Sequence, residues 1–189
     1  MEFVLLDFFI LHPYVGYALI FFGMFFEGDL FLFAATFLAN LGVFDITPVL
    51  IVTFFGMTIG DILWYRLGIY QEKLPSWLQK LILRIASPFD AMLVNKPFMT
   101  LFITKFTYGA HHLVLARAGG NRLDLKRFIK SDIGATLLWI AVIASLGYFG
   151  SFAFSQIKEY VRFAEVGLLV GFVLIILLEK AVRVWARGR

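Results

Sequence analysis

Two long stretches without a charged side chain constrain this chain more than any other feature. Residues 8–26 and 133–157 are predominantly apolar and contain no Asp, Glu, Lys or Arg. About 20 apolar residues in a helix span the hydrocarbon core of a bilayer. The whole chain is 61% hydrophobic, whereas a soluble domain is about half apolar. The sequence therefore predicts an all-α, polytopic membrane protein in which residues 1–189 form a single membrane domain.

The apolar segments predict about four membrane-spanning helices and one surface helix. The spans are predicted at about residues 4–26, 46–69, 128–154 and 163–185. Residues 70–96 place apolar side chains at helical spacing and interleave them with lysine and arginine. That pattern is typical of an amphipathic helix that lies on the membrane surface.

Basic residues predict the orientation, because cytoplasmic loops are rich in Lys and Arg. Residues 180–189 carry four of them, so we expect a cytoplasmic C-terminus in the inner (plasma) membrane. The basic segment 117–130 lies two spans earlier and falls on the same side. Residues 97–120 would then begin and end on one side, which predicts a re-entrant hairpin. The short apolar run 28–44 predicts a second hairpin that enters from the opposite face.

Two oppositely oriented hairpins are typical of transporters with inverted repeats, whose binding site lies near the membrane midplane. The charges of the two halves also differ. Residues 1–70 hold six acids and one base, whereas residues 96–130 hold seven bases and one acid. We therefore expect an acidic first hairpin to face a basic second one around a polar cavity.

Three acids lie in apolar surroundings. Glu27 and Asp29 flank Gly28, and a helix break there lets both face one cavity. Two carboxyl groups in a site of low dielectric cannot both ionise cheaply, so one can load and release a proton. Alternatively, both are solvated by headgroups at a helix end. Asp61 is predicted to point into the helix bundle, or to pair with Arg66 on its own helix.

Lys105 and two adjacent histidines follow in the second predicted hairpin. A lysine inside the bilayer needs an anionic partner, which is one of the acids or a substrate phosphate, unless it reaches the surface. His111 and His112 point about 100° apart on a helix, so they do not form a chelate. His111 is a candidate titratable or phosphate-contacting group, and His112 a packed side chain. No metal, cofactor or nucleic-acid site and no enzymatic motif is predicted.

Arg117 and Arg122 flank a pair of glycines that begins at Gly119. Forked guanidinium donors and exposed backbone N–H groups suit a phosphate. The preference for basic residues on the cytoplasmic side explains the same arginines without any ligand.

Three stretches resemble the DedA family, the bacterial and archaeal relatives of the SNARE-associated or VTT domain. FEGDLFLFAATFLA is similar to the acidic entry of the family's first hairpin, and GDILWYRLG to its acidic and aromatic segment, with Asp61 and Tyr65 in register. KFTYGAHHLVLARAGGNRLDLKRFIKSDIGATLLW is similar to the second-hairpin motif. In that third stretch the positions in register are Phe106, Gly109, Ala118, Gly119, Arg122, Phe128, Gly134 and Trp139.

The chain departs from the family pattern where the family has two arginines and a proline. Lys105 and His111 replace the arginines, Tyr108 replaces the proline, and Ile69 stands where the family has a basic residue. Histidine titrates near neutral pH and arginine does not. Dependence on pH, or a different substrate, is therefore expected.

The resemblance implies a transporter, scramblase or flippase of phosphate-bearing lipids, such as a polyprenyl-phosphate carrier or a phospholipid, coupled to a proton gradient. Its partners would be membrane lipids with anionic headgroups, and protons. An ion or small-solute exchanger and a purely structural membrane protein stay as alternatives, and the small-residue pattern Gly167–Gly171 allows a homodimer. In this scheme Lys105, His111, Arg117, Arg122 and Gly119 hold the phosphate, and Glu27, Asp29 and Asp61 handle protons.

Overall fold

The computed structural model describes residues 9–107 and 109–152. Apart from the last two, these residues belong to the first of two units into which the chain divides, Met1–Gly150. The span predicted at 163–185, the basic tail, the Gly167–Gly171 pattern and Tyr108 lie outside the described residues. Within them no β-strand occurs. The helices are α1 (Pro13–Gly23), α2 (Gly28–Asn40), α3 (Ile46–Ile69), α4 (Ser76–Ala86), α5 (Asp90–Asn95), α6 (Pro97–Lys105), α7 (His111–Gly120) and α8 (Leu125–Phe152).

The described chain repeats one pattern, in which two short helices precede a long one. Helices α1, α2 and α3 form the first set, and α6, α7 and α8 form the second. Each set starts at a proline whose preceding residue has nearly the same non-helical backbone, φ −129° and ψ 62° at His12 and φ −137° and ψ 61° at Lys96. A residue before proline disfavours the helical region, whereas proline itself suits the first helical position.

The first predicted span is interrupted for the same reason, a residue that precedes a proline. A single helix was expected over residues 4–26, but the described part is interrupted at His12, and α1 has only 11 residues. At about 1.5 Å per residue, α1 and the 13-residue α2 are each too short to cross a bilayer. The turn between these helices, at residues 24–27, lies earlier than the hairpin predicted at 28–44. The re-entrant insertion of the short helices stays a prediction.

Only α3 and α8, among the described helices, are long and apolar enough to cross a membrane. Helix α3 has the bounds of the span predicted at 46–69, and α8 begins and ends two to three residues before the span predicted at 128–154. Both also carry large apolar side chains on their outer surface, and Phe55, Leu63, Leu137 and Leu146 are each more than half exposed. Such an apolar exterior suits contact with lipid chains.

The two long helices run antiparallel. At one end, Ile46 and Leu50 of α3 line an apolar groove of about 430 Å³ together with Tyr148 and Phe149 of α8. Toward the other end, Asp61 of α3 and Asp132 of α8 approach the same lysine side chain. The two sets of three helices therefore pack together with their long helices pointing in opposite directions.

Glycines allow α3 and α7 to pack in backbone contact. A Cβ atom added at Gly68 would overlap the carbonyl of Ala116, and one added at Gly119 would overlap the carbonyl of Tyr65. The Tyr65 hydroxyl donates a hydrogen bond to the carbonyl of Leu123, and its ring stacks on Phe128 with centroids 4.4 Å apart. This crossing holds the second pair of short helices against α3.

Helix α4 has the two-sided character that predicted an amphipathic helix within residues 70–96. Ile82 and Ala86 are buried in a core cluster that includes α7, whereas Lys80 and Arg84 are exposed. The location of this helix on a membrane surface stays a prediction.

Candidate functional site

Two turns meet at one cavity of about 190 Å³. One turn joins α1 to α2 at residues 24–27, and the other joins α6 to α7 and includes residues 106–107 and 109–110. Side chains of α3 and α8 complete the wall. The lining residues are Met24, Phe26, Glu27, Gly28, Asp29, Met57, Lys105, Thr107, Gly109, His111, His112 and Trp139.

Two helices begin at this cavity, α2 after Glu27 and α7 after Ala110. The first N–H groups of a helix have no acceptor within it, and neither N-cap residue supplies a side-chain cap. Gly109 has φ +73°, a left-handed conformation that glycine adopts without strain. Two uncapped helix N-termini at one cavity provide N–H groups and partial positive charge for an anion.

A buried cluster of charged side chains adjoins the cavity. The Nζ atom of Lys105 lies 2.6 Å from Oδ2 of Asp61 and 3.4 Å from Oδ1 of Asp132. The Nε2 atom of His111 lies 3.3 Å from Oδ1 of Asp61 and 3.3 Å from Nζ of Lys105. All four side chains are buried. Among the partners that the sequence allowed for Lys105, the structure selects Asp61.

Four helices bring this cluster together, and Asp132 comes from α8. Lys105 is the last residue of α6, His111 the first of α7, and Asp61 lies on the buried face of α3. The hydroxyl of Thr104 lies 3.3 Å from Nδ1 of His111 and orients the imidazole. Burial of an ion pair is costly unless further polar contacts surround it, and the imidazole provides them here.

Glu27 and Asp29 both line the cavity, as predicted, but the helix break lies at residues 24–27 and Gly28 is already the first residue of α2. Asp29 accepts a hydrogen bond of 3.0 Å from Nε1 of Trp139, which is buried on α8. His112 also lines the cavity, and its ring lies 5.1 Å from that of Trp64. The cavity thus has carboxyl groups from the first set of helices and imidazoles from the second.

Arg117, Arg122 and Gly119 do not line the cavity. Arg117 forks onto Asp90, with Nε 2.8 Å from Oδ1 and a terminal nitrogen 2.6 Å from Oδ2. Arg122 is exposed in the turn after α7, with φ +53°. Gly119 is required where α7 touches α3. The structure therefore separates these three residues from Lys105 and His111, with which a phosphate-binding role had grouped them.

Asp90→Asn should lower the free energy of unfolding by about 1 kcal/mol, because it breaks a forked but partly exposed pair. Hydrogen bonds from Arg117 hold the pKa of Asp90 below its ordinary 3.8. The contribution of the Asp90–Arg117 pair to the free energy of unfolding is therefore present above pH 3.8 and is lost as the pH falls further. Thermal unfolding in detergent at several pH values measures both effects. Asp45→Asn is the control, since that exposed N-cap makes no side-chain cap; equal losses in both variants would refute the prediction.

Sequence reasoning missed Asp132 and the role of Trp139 at the cavity. Asp132 comes directly before the charge-free run 133–157, so it reads as the end of a solvated segment. Trp139 follows it at i+7, on the same face of a helix. An acid and an indole at helical spacing at the start of a span were the available signal.

A family model described as the VTT domain matches residues 13–149. No curated protein and no solved structure is significantly similar to the chain. The matched region contains α1 to α7, nearly all of α8, and every residue that lines the cavity. Because this match covers well over half of the 189 residues, the chain belongs to the VTT domain family, that of the DedA proteins which its motifs resemble.

Proposed function

We propose that this protein is a proton-linked transporter of lipids that carry a phosphate headgroup. Its family is membrane-associated and transporter-like rather than enzymatic. The observation that carries the proposal is the cavity between the two turns, where two uncapped helix N-termini lie beside a buried lysine, two histidines and several carboxyl groups. Broken helices that supply such ends are how many transporters bind charged solutes.

The phosphate would bind at the helix N-termini. The N–H groups of the first turns of α2 and α7 and the ring of His112, all from cavity-lining residues, would donate to it. Lys105 is held by Asp61 at 2.6 Å, so it would contribute after release from that carboxylate. The lipid tail would stay against the apolar outer faces of the long helices.

Protons would have to enter with the headgroup. Four carboxyl groups, those of Glu27, Asp29, Asp61 and Asp132, lie in or beside the cavity, against one lysine and two histidines. With all four ionised, the site would repel an anion in surroundings of low dielectric. Protonation of the cavity-lining acids or of His112 removes that repulsion, so headgroup binding and proton uptake favour each other.

Reconstituted vesicles test this proposal. We expect transfer of a labelled lipid across the bilayer to be stimulated by an imposed pH gradient, with a polyprenyl phosphate and a phospholipid assayed separately to identify the headgroup. Lys105→Met and Glu27→Gln should each lower the rate about tenfold or more, since a hydrogen bond to a charged group is worth about 1.5–3 kcal/mol. Lys80→Met, on the exposed face of α4, is the matched control. Full transfer by the Lys105 and Glu27 variants would refute the assigned roles.

The excess of acids favours a second candidate, an exchanger of protons for cations or small solutes. It predicts ion flux in vesicles that contain no transferable phosphate lipid. We also propose that the protein lies in the inner membrane with its C-terminus in the cytoplasm, as its basic residues indicate.

A further inference from the structure

We propose that Asp132 carries a proton at neutral pH and is a positioning residue that decides where the ammonium group of Lys105 lies. The two carboxyl groups near that ammonium are not equivalent. Asp61 is 2.6 Å away and also contacts His111, whereas Asp132 is 3.4 Å away. Both carboxyl oxygens of Asp132 are buried and make no hydrogen bond within the described residues.

Charge balance requires one proton besides those of the lysine. Two ionised carboxylates and one ammonium would leave a net negative charge on four buried side chains, and an uncompensated buried charge is strongly unfavourable. A single added proton, on His111 or on Asp132, makes the cluster neutral. Asp61 does not need this proton, because the carboxylate of Asp61 already has two donors within 3.3 Å, Lys105 and His111.

Geometry favours Asp132 over His111 as the site of that proton. An imidazolium at His111 would place a second positive group 3.3 Å from the ammonium of Lys105. A protonated Asp132 meets no such repulsion. The charged groups that face it are Asp61 from α3 and Lys105 from α6. His111 from α7 contacts both of these groups, and the acids Glu27 and Asp29 line the cavity, which Asp132 does not.

Loss of this proton would move the lysine. An ionised Asp132 would compete with Asp61 for the ammonium, so Lys105 would shift toward α8 and leave Asp61 to the imidazole. The protonation state of Asp132 would thereby determine the position of the Lys105 ammonium. The inference concerns the same cavity as the proposed function but does not depend on which solute is carried.

Infrared difference spectroscopy of the purified protein tests the proton directly. At neutral pH the wild type should show the C=O stretch of a buried protonated carboxyl group, and Asp132→Asn should lack it. Asp61→Asn should lack it too, because Asp132 must then ionise to pair with Lys105. Asp90→Asn, which removes a carboxylate held by Arg117, should leave the band unchanged. A band that persists in Asp132→Asn would overturn the inference.

Two further measurements separate a positioning role from a merely structural one. Asparagine mimics a neutral aspartic acid, so Asp132→Asn should shift the melting temperature by less than about 3 °C, and an equal loss in Asp61→Asn and Asp132→Asn would contradict the assignment. In vesicles, Asp132→Asn should flatten the pH dependence of lipid transfer. Only this last readout rests on the proposed function. If the wild type shows the infrared band but transfers no lipid, the proposed transport function is refuted and the protonation of Asp132 is not.

Discussion

The double variant Asp61→Asn/Asp132→Asn should lose more stability than its two single variants together. Either single variant leaves Lys105 one carboxylate within reach, since both acids lie within 3.4 Å of its ammonium. The double variant leaves a buried ammonium with no anionic partner in the cluster. Removal of the partner of a buried charge costs about 3–5 kcal/mol, and coupled residues give non-additive losses.

Denaturant or thermal unfolding of all four proteins in one detergent gives the coupling energy of this cycle. The matched control adds Lys105→Met to the double variant. That substitution removes the buried charge and fills similar volume, so it should recover most of the lost stability. Simple additivity of the single variants, or no recovery in the triple variant, would show that the ammonium does not depend on these two acids.

Gly68→Ala and Gly119→Ala should each destabilise the protein by about 3 kcal/mol, the upper end of the usual cost of overpacking. The added methyl group would overlap a backbone carbonyl across the α3–α7 contact, and a backbone cannot rotate away as a side chain can. Both substitutions also separate Tyr65 from its position beside Phe128. Melting temperature and yield of folded protein in detergent measure the effect.

Gly60→Ala is the matched control for these glycines. It lies on α3 with Gly68, but an added Cβ there would be 3.6 Å from the nearest atom, which belongs to the ring of Phe25. Alanine is also preferred to glycine in a helix interior by about 0.5–1 kcal/mol. This variant should be as stable as the wild type or more so. A similar loss at Gly60 and Gly119 would show that close packing is not the cause.

The elements of this fold were largely predictable, because they follow from local properties of the chain. Apolar length identified the two long helices, and apolar side chains at helical spacing between lysines and arginines indicated a surface helix within residues 70–96, which contain α4. The bounds of the short helices were less predictable. They depend on His12 and Lys96, each held out of the helix by the proline that follows.

The site was predictable only in part, because its contacts join residues that are distant in sequence. A buried lysine requires an anion, and Asp61 was one of the named candidates. Nothing in the local pattern indicates that Asp132, 27 residues after Lys105, is also within 3.4 Å. Arg117 shows the opposite case. Its neighbouring glycines in the sequence suggested a phosphate site, but in the folded chain its guanidinium group pairs with Asp90.

The two sets of helices brace each other reciprocally. The turn of the first set is anchored through Asp29 to Trp139 of the second set. The turn of the second set is anchored through Lys105 to Asp61 of the first. Neither set of helices therefore forms the wall of the cavity alone. A rearrangement of one set would shift the turn of the other set, because these two contacts connect them.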